Sequence, residues 1–256
     1  MGAVRSEVAG GVLTVTLADV ENRNALGAGV VNGLHDALRQ ANEDATTRAV
    51  VVTNEGNTFC AGANLKERSG TSGGERPRVS FEALLGEIQA SPTPVVGKIA
   101  GHVVGGGNGL AAALDIAIAQ DDVKFGFTEV RLGVAPAIIS VVCLPKMRSG
   151  EAMEAFLRGN RFSAEKAAAY GLISRAVPAA ALDEAVDEVL ADLFLGGPAA
   201  LGAAKELVYQ VPAMDRSEAF AWTSDLSQRL FQSDEAAAGM RAFLKREKPP
   251  WAPDGD

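Results

Sequence analysis

Apolar and polar residues alternate along the first part of the chain in a pattern that predicts a strand, a helix and a second strand. Residues 12–17 alternate with a period of two, which is typical of a strand with one buried face. In Ala28–Glu43 the apolar residues have the spacing of a helix with one apolar face. Ala49–Thr53 is a short β-branched run that fits a buried strand. This order of elements predicts a crossover unit.

Strands and helices are also predicted along the middle of the chain. Pro94–Ala100 is an apolar run typical of a strand, and Asp115–Ala119 and Lys124–Phe127 are two more short runs of this kind. Helical spacing returns in Val79–Ala90, and a proline-containing segment then ends that helix. Arg131–Leu144 is predicted to be a buried connection in which a helix begins near Ala137. Further helices are predicted at Glu151–Leu157, Ala164–Gly171 and Leu182–Leu195.

From Gly197 onward the apolar pattern is helical, which predicts a helical C-terminal region after a mixed core. The predicted helices are Pro198–Val211, Ser217–Gln232 and Ser233–Arg246, the last with Ser233 as its N-cap. Their apolar faces are larger than these helices alone can cover, which favours packing on another subunit. The sequence therefore predicts a core over residues 1–196 and an oligomerisation region over residues 197–256.

Consecutive glycines at Gly105, Gly106 and Gly107 stand between the apolar run 94–100 and an Ala-rich segment that predicts a helix. A glycine backbone can adopt positive φ and lets a ligand approach its amide groups closely. These amides would lie at a helix N-terminus, where partial positive charge accumulates. The stretch is therefore predicted to suit an anion or a developing oxyanion.

Two other features each fit a functional and a purely structural interpretation. The small residues of Ala61-Gly62-Ala63 form either a strand-to-helix loop with a packing glycine or part of a binding site. Glu129 follows the predicted strand 124–127, at a strand end where loop chemistry is usually placed, although a surface glutamate fits equally well. The residues alone leave both questions open.

Composition and charge exclude several classes of protein. The chain has 256 residues, 47% of them hydrophobic, yet no apolar stretch reaches the roughly 20 residues of a membrane span, and the N-terminus lacks a signal pattern. Cys60 and Cys143 are too few for a disulfide framework, and with His35 and His102 they show no metal spacing. A net charge of −8 argues against nucleic acid as a partner. We expect a cytoplasmic protein without a metal.

Three segments carry motifs whose order and spacing are specific, although each motif alone is weak. They are residues 61–67 (Ala-Gly-Ala-Asn-Leu-Lys-Glu), residues 101–110 with the glycines, and residues 125–133 (Phe-Gly-Phe-Thr-Glu-Val-Arg-Leu-Gly). Together they resemble the enoyl-CoA hydratase/isomerase, or crotonase, family over nearly the whole chain. The resemblance implies an α/β fold built as a crotonase-like spiral of ββα units with a helical C-terminal trimerisation region, assembled as a homotrimer or homohexamer. It also implies an acyl-CoA substrate and no cofactor.

The resemblance implies a role for each matching residue. Members of the family hold the thioester carbonyl between two backbone amides, which by motif position are those of Ala63 and Gly106, and so stabilise an enolate. Glu129 is implied as the acid/base. Lys66 and the backbone around Asn24 match the region that contacts the CoA nucleotide, and Lys245 matches a tail residue that reaches a neighbour's CoA. The implied substrate-binding residues are Asn24, Ala25, Leu26, Ala61, Gly62, Asn64, Leu65, Lys66, Gly105, Gly109 and Lys245.

Two departures from the family pattern bear on the reaction. Well-known hydratases carry two glutamates, so that one can activate water while the other handles the proton on the adjacent carbon. This chain has Gly109 at the first of these positions and Glu129 at the second. The Gly-Ala-Gly-Gly segment that usually follows the later proline is replaced by residues 137–140, Ala-Ile-Ile-Ser. A simple two-glutamate mechanism is therefore excluded.

Several functions stay open at this point. The sequence of residues 128–140 is similar to that of bacterial methylglutaconyl-CoA type hydratases. In those enzymes the remaining glutamate would both activate water and handle the proton on the adjacent carbon, or would be helped by the substrate's own carboxylate. Δ3,Δ2-enoyl-CoA isomerases also use one glutamate at the position of Glu129, because moving a proton between C2 and C4 needs no activated water. A non-catalytic acyl-CoA-binding protein and another anion-binding α/β enzyme are the remaining alternatives. The sequence favours the hydratase.

Overall fold

The computed structural model describes residues 2–64 and 76–253, and its larger sheet organises the chain. This sheet has six strands in the order β1-β2-β3-β5-β7-β10. β1 and β2 form an antiparallel hairpin, and every other neighbouring pair is parallel. The strands are β1 Val4–Ala9, β2 Val12–Leu17, β3 Ala49–Asn54, β5 Val95–Ile99, β7 Ile116–Gln120 and β10 Arg175–Val177.

A smaller sheet of four strands has the order β4-β6-β8-β9. Its strands are β4 Thr58–Cys60, β6 His102–Val104, β8 Lys124–Gly126 and β9 Phe162–Ser163. β4, β6 and β8 are parallel, whereas β9 is antiparallel to β8. Three successive strand pairs each give the first strand to the large sheet and the second to the small sheet, and a helix follows. This repetition is the spiral of ββα units that the sequence implies.

Ten α-helices lie within the described residues, and local side chains explain where several of them begin. Ser80, Ser163 and Ser233 each precede a helix, and each hydroxyl accepts a hydrogen bond from an amide of the first turn. The helices are α1 Ala28–Glu43, α2 Phe81–Ala90, α3 Gly106–Ala113, α4 Ala137–Cys143, α5 Ser149–Arg158, α6 Ala164–Ala169, α7 Leu182–Leu195, α8 Pro198–Gln210, α9 Arg216–Phe231 and α10 Asp234–Lys245.

The large sheet is covered on both faces, which explains its apolar central strands. Val51, Val96 and Ile118 point to one face, where they pack against Leu182 and Val186 of α7. The opposite side chains of the same strands join the main core with α1, α2 and α3. The helix α3 is buried along its length from Gly107 to Ala113. It therefore has a fixed position relative to both sheets.

The structure confirms the predicted long elements and corrects others. The helix bounds 28–43 and 182–195 and the strand 12–17 match the predictions, and β2 and β3 are parallel as a crossover requires. β1 was not predicted, because its side chains are mostly exposed and show no alternation. The connection Arg131–Leu144 is not buried as predicted: most of its residues are exposed, and Val141 is 74% exposed. Several of its apolar side chains therefore face outward, whereas Ile139, Val142 and Cys143 are buried.

The C-terminal helices are anchored to the core at specific points. Lys205 of α8 forms an ion pair of 2.8 Å with Asp115, which precedes β7. Arg48 donates to the carbonyl oxygens of Gly196 and Trp251 and so holds the end of the described chain. Large apolar side chains of α9 and α10 stay exposed in the single chain, and Phe243 is 83% exposed. The division at residues 196 and 197 stays a prediction. No helix of the described residues is long and apolar enough to span a membrane.

Candidate active site

The small-residue loop 61–64 lies beside the segment that precedes α1. The Leu26 amide donates to the Gly62 carbonyl at 2.8 Å, and Leu26 and Ala63 form a parallel bridge. The Ala61 amide donates to the carbonyl of Arg23 at 3.1 Å. Predicted substrate-binding residues that are distant in sequence therefore belong to one surface.

Asn24 holds this surface from within. It is fully buried with φ of +51°, and its side-chain amide donates to the Thr58 carbonyl at 2.7 Å and to the Glu55 carbonyl at 3.2 Å. Ala25 is also buried. Any contact of Asn24 with a ligand would therefore come from its backbone, as the family resemblance of the sequence implies.

The glycine turn before α3 approaches this loop too closely for any side chain. Gly105 caps α3 with φ of +56°, and its amide donates to the Gly126 carbonyl of β8 at 2.9 Å. Gly62 has φ of +82°, and a β-carbon on it would lie 2.7 Å from the Gly106 nitrogen and 2.8 Å from the Val104 oxygen. Only glycine fits at residue 62, because the obstructing atoms are backbone.

Two backbone amides are left without acceptors at this junction. Within the described part of the chain, neither the Ala63 amide nor the Gly106 amide donates a hydrogen bond. A β-carbon on Gly106 would lie 3.7 Å from the Ala63 nitrogen, so the two amides are close neighbours. Gly106 is also the first residue of α3, where the helix dipole favours negative charge. The arrangement can accept an anionic oxygen.

Glu129 faces the same glycine turn from the end of β8. It begins a short 3-10 turn, and its Oε1 lies 3.5 Å from the position that a β-carbon on Gly105 would take. Its Oε2 is buried and has no hydrogen-bond partner among the described residues. Burial raises the pKa of the Glu129 carboxyl above its ordinary value. Such a carboxyl is suited to exchanging protons with a ligand held at the two amides.

Gly109 lies one helical turn after the glycine cap, and its surroundings are apolar. A β-carbon on it would lie 2.3 Å from Cγ2 and 2.7 Å from Cβ of Ile139, a buried residue of α4. A carboxylate side chain at this position would overlap Ile139. Glu129 is thus the carboxylate that the structure places beside the free amides, as far as residues 2–64 and 76–253 show.

The sequence did not single out Asn108 or Ile139. Asn108 is fully buried, and its side-chain amide donates to the Gly105 carbonyl at 3.0 Å and the Gly126 carbonyl at 2.9 Å. It therefore ties the first turn of α3 to β8. An asparagine within a Gly/Ala-rich helix was the available signal, because a buried amide needs partners. Ile139 belongs to the segment 137–140 that departs from the family pattern, but nothing in the sequence shows that this isoleucine contacts Gly109.

Some predicted residues are not brought to this site within the described chain. Leu65 and Lys66 lie outside the described residues, and Asn64 ends the described part of the loop. Lys245 is exposed in the last turn of α10, and no hydrogen bond or ion pair joins it to the other predicted residues that the structure describes. No cluster of three metal-ligating side chains occurs among the described residues either.

Comparisons with known proteins show the family to which the chain is similar. Residues 7–254 match the family model described as enoyl-CoA hydratase/isomerase. A protein of Thermus thermophilus, provisionally named an enoyl-CoA hydratase, is 32% identical over 246 residues, covering 94% of this chain and 97% of its own.

Solved structures give the same result for the fold. Pseudomonas aeruginosa AtuE has a TM-score of 0.90 and 30% identity over 98% of this chain and all of its own. An enoyl-CoA hydratase of Mycobacterium smegmatis has a TM-score of 0.86 and 28% identity, covering 98% of this chain and 99% of its own. The match over nearly the whole length shows that the chain belongs to the enoyl-CoA hydratase/isomerase family of enzymes and has its crotonase fold.

Proposed function

We propose that this protein is an enoyl-CoA hydratase that uses Glu129 as its sole acid/base glutamate. One observation carries the proposal: the Glu129 carboxyl faces the glycine turn at which the amides of Ala63 and Gly106 have no acceptor among the described residues. The substrate is a 2-enoyl-CoA thioester, straight or branched, and no cofactor takes part. Family membership and the names of the similar proteins support this reaction.

The two free amides stabilise charge on the thioester oxygen. When water adds to C3, the electrons of the C2–C3 double bond move toward the carbonyl and form an enolate. Amides fixed at the Ala63 and Gly106 positions bind that oxygen more strongly as its negative charge grows, and one such donor is typically worth on the order of a hundred- to a thousandfold in rate. Small residues at these positions let the thioester approach the amides.

Glu129 carries the proton steps in this proposal. The ionised carboxylate takes a proton from water as the hydroxyl bonds to C3, and the same group returns a proton to C2 of the enolate. A pKa raised by burial favours this exchange, because a weak acid is a stronger base once it is ionised. The unpartnered Oε2 leaves one carboxyl oxygen available for water or substrate.

A second candidate is Δ3,Δ2-enoyl-CoA isomerisation, which the contact of Ile139 with Gly109 favours. Moving a proton from C2 to C4 through a dienolate needs one base and the oxyanion donors, but no activated water. Ile139 fills the space in which a second carboxylate would stand. One carboxylate and the two amides would then remain, and isomerisation needs no more than these groups.

One experiment distinguishes these functions. The purified protein is incubated separately with crotonyl-, 3-hexenoyl- and 3-methylglutaconyl-CoA, and the products are analysed by mass spectrometry and chromatography. Gain of one water supports the hydratase, whereas a 2-enoyl product of unchanged mass from 3-hexenoyl-CoA supports the isomerase. Thermal protection by acyl-CoA without any product would indicate a non-catalytic acyl-CoA-binding protein. If no product forms and acyl-CoA gives no thermal protection, the proposal is contradicted.

We also propose that copies of the chain associate as a homotrimer or homohexamer through the C-terminal helices. An apolar groove runs between α8, α9 and α10, lined in part by Leu207, Leu230 and Met240, and the exposed Phe243 and Leu244 continue it. Such a surface favours burial against another protein surface. Light scattering after size-exclusion chromatography measures the assembly, and a monomer at micromolar concentration would contradict it.

The CoA nucleotide contacts and the cellular location are proposed on sequence grounds. Lys66 of the same chain and Lys245 of a neighbouring copy would meet the phosphates of CoA, since the net charge of −8 requires local cations for an anionic ligand. The cytoplasm fits the two buried cysteines, Cys60 and Cys143, which are free thiols. Charge removal at each lysine should raise KM for acyl-CoA with little change in kcat.

A further inference from the structure

The two places at which this sequence departs from its family's pattern, Gly109 and the segment with Ile139, contact each other in the structure. Gly109 replaces a glutamate in α3, and Ile139 belongs to the segment that replaces a glycine-rich one. A β-carbon on Gly109 would lie 2.3 Å from Cγ2 of Ile139 and 3.5 Å from its Cα, so the helix backbones themselves are close. Contacts under about 3 Å between carbon atoms are strongly repulsive, and Gly109 is the residue that allows this packing.

The direction of a side chain at residue 109 determines what Ile139 displaces. Residue 109 follows Gly105 by four positions and Gly106 by three, so all three share one face of α3. Side chains on a helix lean toward its N-terminus. A glutamate at this position would therefore lean toward the free Gly106 amide and toward Glu129, whose Oε1 faces Gly105. Ile139 occupies the beginning of that path.

The buried face of α4 makes this wall apolar. Ile139, Val142 and Cys143 are the buried side chains of α4, and Ile139 is only 3% exposed. The Cys143 thiol contacts the Asn108 carbonyl at 3.6 Å, which adds a second contact beside Gly109. A water molecule that approached the active site from this side would find an isoleucine where the family pattern offers a carboxylate.

We propose that Ile139 is a specificity-determining residue, because it fills, against Gly109, the position of a second acid–base carboxylate and keeps water from that side. This inference rests on the function proposed above and deepens it. It predicts that the ratio of water addition to double-bond migration is set by the pair of residues 109 and 139. It also predicts that residue 109 cannot take the family's glutamate unless Ile139 is replaced by a smaller residue.

The contact itself is tested first by thermal denaturation, which needs no assumption about the reaction. Gly109→Ala should lower the melting temperature. In a chain that already carries Ile139→Gly, the same substitution should lower it much less, and a double-mutant cycle measures this difference. Gly86→Ala in α2 is the matched control, because a β-carbon there would meet no atom within 4 Å and alanine favours a helix. Additive effects of residues 109 and 139 would overturn the proposed contact.

The reaction is tested with a double variant that restores both positions. Gly109→Glu/Ile139→Gly should add water to crotonyl-CoA about a hundredfold faster than Gly109→Gln/Ile139→Gly, its neutral match of nearly equal size. In this step one carboxylate takes a proton from water, the oxygen bonds to C3, the double-bond electrons reach the thioester oxygen, and the other carboxyl protonates C2. Equal rates, with both variants protected by acyl-CoA against heat, would overturn the proposal.

A smaller change keeps the proposal testable if the double variants fail to fold. Ile139→Ala and Ile139→Val open the same space in graded steps, and the ratio of hydrated to isomerised product should rise from isoleucine to valine to alanine. An unchanged ratio in folded variants would overturn the proposal. If the unaltered protein neither converts nor binds any acyl-CoA, it is the proposed function that fails, and the thermal cycle still reports on the contact.

Discussion

Two partly buried carboxyl groups of this protein, those of Asp115 and Glu129, have opposite environments. Asp115 Oδ2 accepts from the Val95 amide at 2.7 Å and pairs with Lys205 at 2.8 Å, while Oδ1 accepts from the Tyr209 hydroxyl at 3.2 Å. Within residues 2–64 and 76–253, Glu129 has one buried oxygen without a partner, beside the amides of Ala63 and Gly106, which have no acceptor there. Burial raises the pKa of both carboxyl groups. In the described part of the chain, the attraction of a cation, Lys205, opposes that effect for Asp115 but not for Glu129.

From this difference we expect the Asp115 cluster to serve stability and Glu129 to serve the proposed chemistry. The Asp115 cluster links α8 to the core, because Lys205 also donates to the Ile88 carbonyl at 2.8 Å. A satisfied buried network fixes one arrangement of the chain. An unpartnered group destabilises the folded state, and a ligand can supply the missing partners. Stability should therefore depend on the Asp115 cluster, and turnover on Glu129.

Glu129→Gln tests the chemical half of the comparison and should have the largest effect. Glutamine keeps the shape but cannot exchange the proton, so kcat should fall by about a hundred- to ten-thousandfold. The free energy of unfolding should be unchanged or higher, since a buried, unpartnered carboxyl is replaced by a neutral group. Enoyl-CoA turnover and thermal denaturation measure the two quantities. Full turnover on every substrate would show that Glu129 is not the base.

Lys205→Met tests the structural half and should mainly change stability. Leaving Asp115 buried without its cation should lower the free energy of unfolding by about 3–5 kcal/mol. The double variant with Asp115→Leu should recover part of this loss. Lys98→Met is the matched control, because its ion pair with Asp183 is exposed and should contribute about 1 kcal/mol or less. Equal losses for both lysines, measured by urea denaturation, would remove the distinction.

Gly62→Ala sharpens the comparison by moving the amides without touching a carboxyl group. The new β-carbon would meet the Gly106 nitrogen and the Val104 oxygen, so the donors must separate and kcat should fall by about a hundredfold or more. Gly10→Ala is the control, because φ is also positive there but no atom lies within 4 Å. Both variants place alanine at a positive φ and so share the backbone strain. Steady-state kinetics on the two folded variants therefore show whether the loss in kcat comes from the displaced amides or from this strain.

The pH dependence should be the smallest effect and should have opposite signs for activity and stability. Activity needs ionised Glu129, so kcat/KM should rise with pH through a pKa above the ordinary range of glutamate. The raised pKa means that the folded state binds the proton more tightly. The contribution of Glu129 to stability is therefore complete below the unfolded pKa and is lost as pH rises through the folded pKa.

Glu129→Gln provides the control for this pH dependence. The variant should lose the acidic limb of the kcat/KM profile, and the difference in unfolding free energy between the two proteins should change across the same pH interval. An acidic limb that persists in the variant would assign it to another group. A stability difference that is independent of pH would show that the folded and unfolded pKa values of Glu129 are equal.

The sequence predicted the elements that show a clear apolar period or a continuous apolar run. The helix Ala28–Glu43 repeats its apolar face over several turns, and its bounds were predicted correctly. The strands His102–Val104 and Thr58–Cys60 have three residues each, too few to show alternation, and were missed. Yet these short strands place the glycine turn against loop 61–64. The motifs predicted the candidate site residues, while the short strands determine how these residues meet.

By itself, the sequence determined the order of the helices and of the strands β2, β3, β5, β7 and β8, the absence of a glutamate at residue 109 and the candidate carboxylate Glu129. It could not show that Ile139 fills the space beside Gly109, nor that Lys205 pairs with Asp115 across 90 positions of the chain. Periodicity and turn chemistry are local properties, so a short window of sequence reveals them. Which distant side chains touch depends on how complete elements pack, and only the tertiary structure decides that.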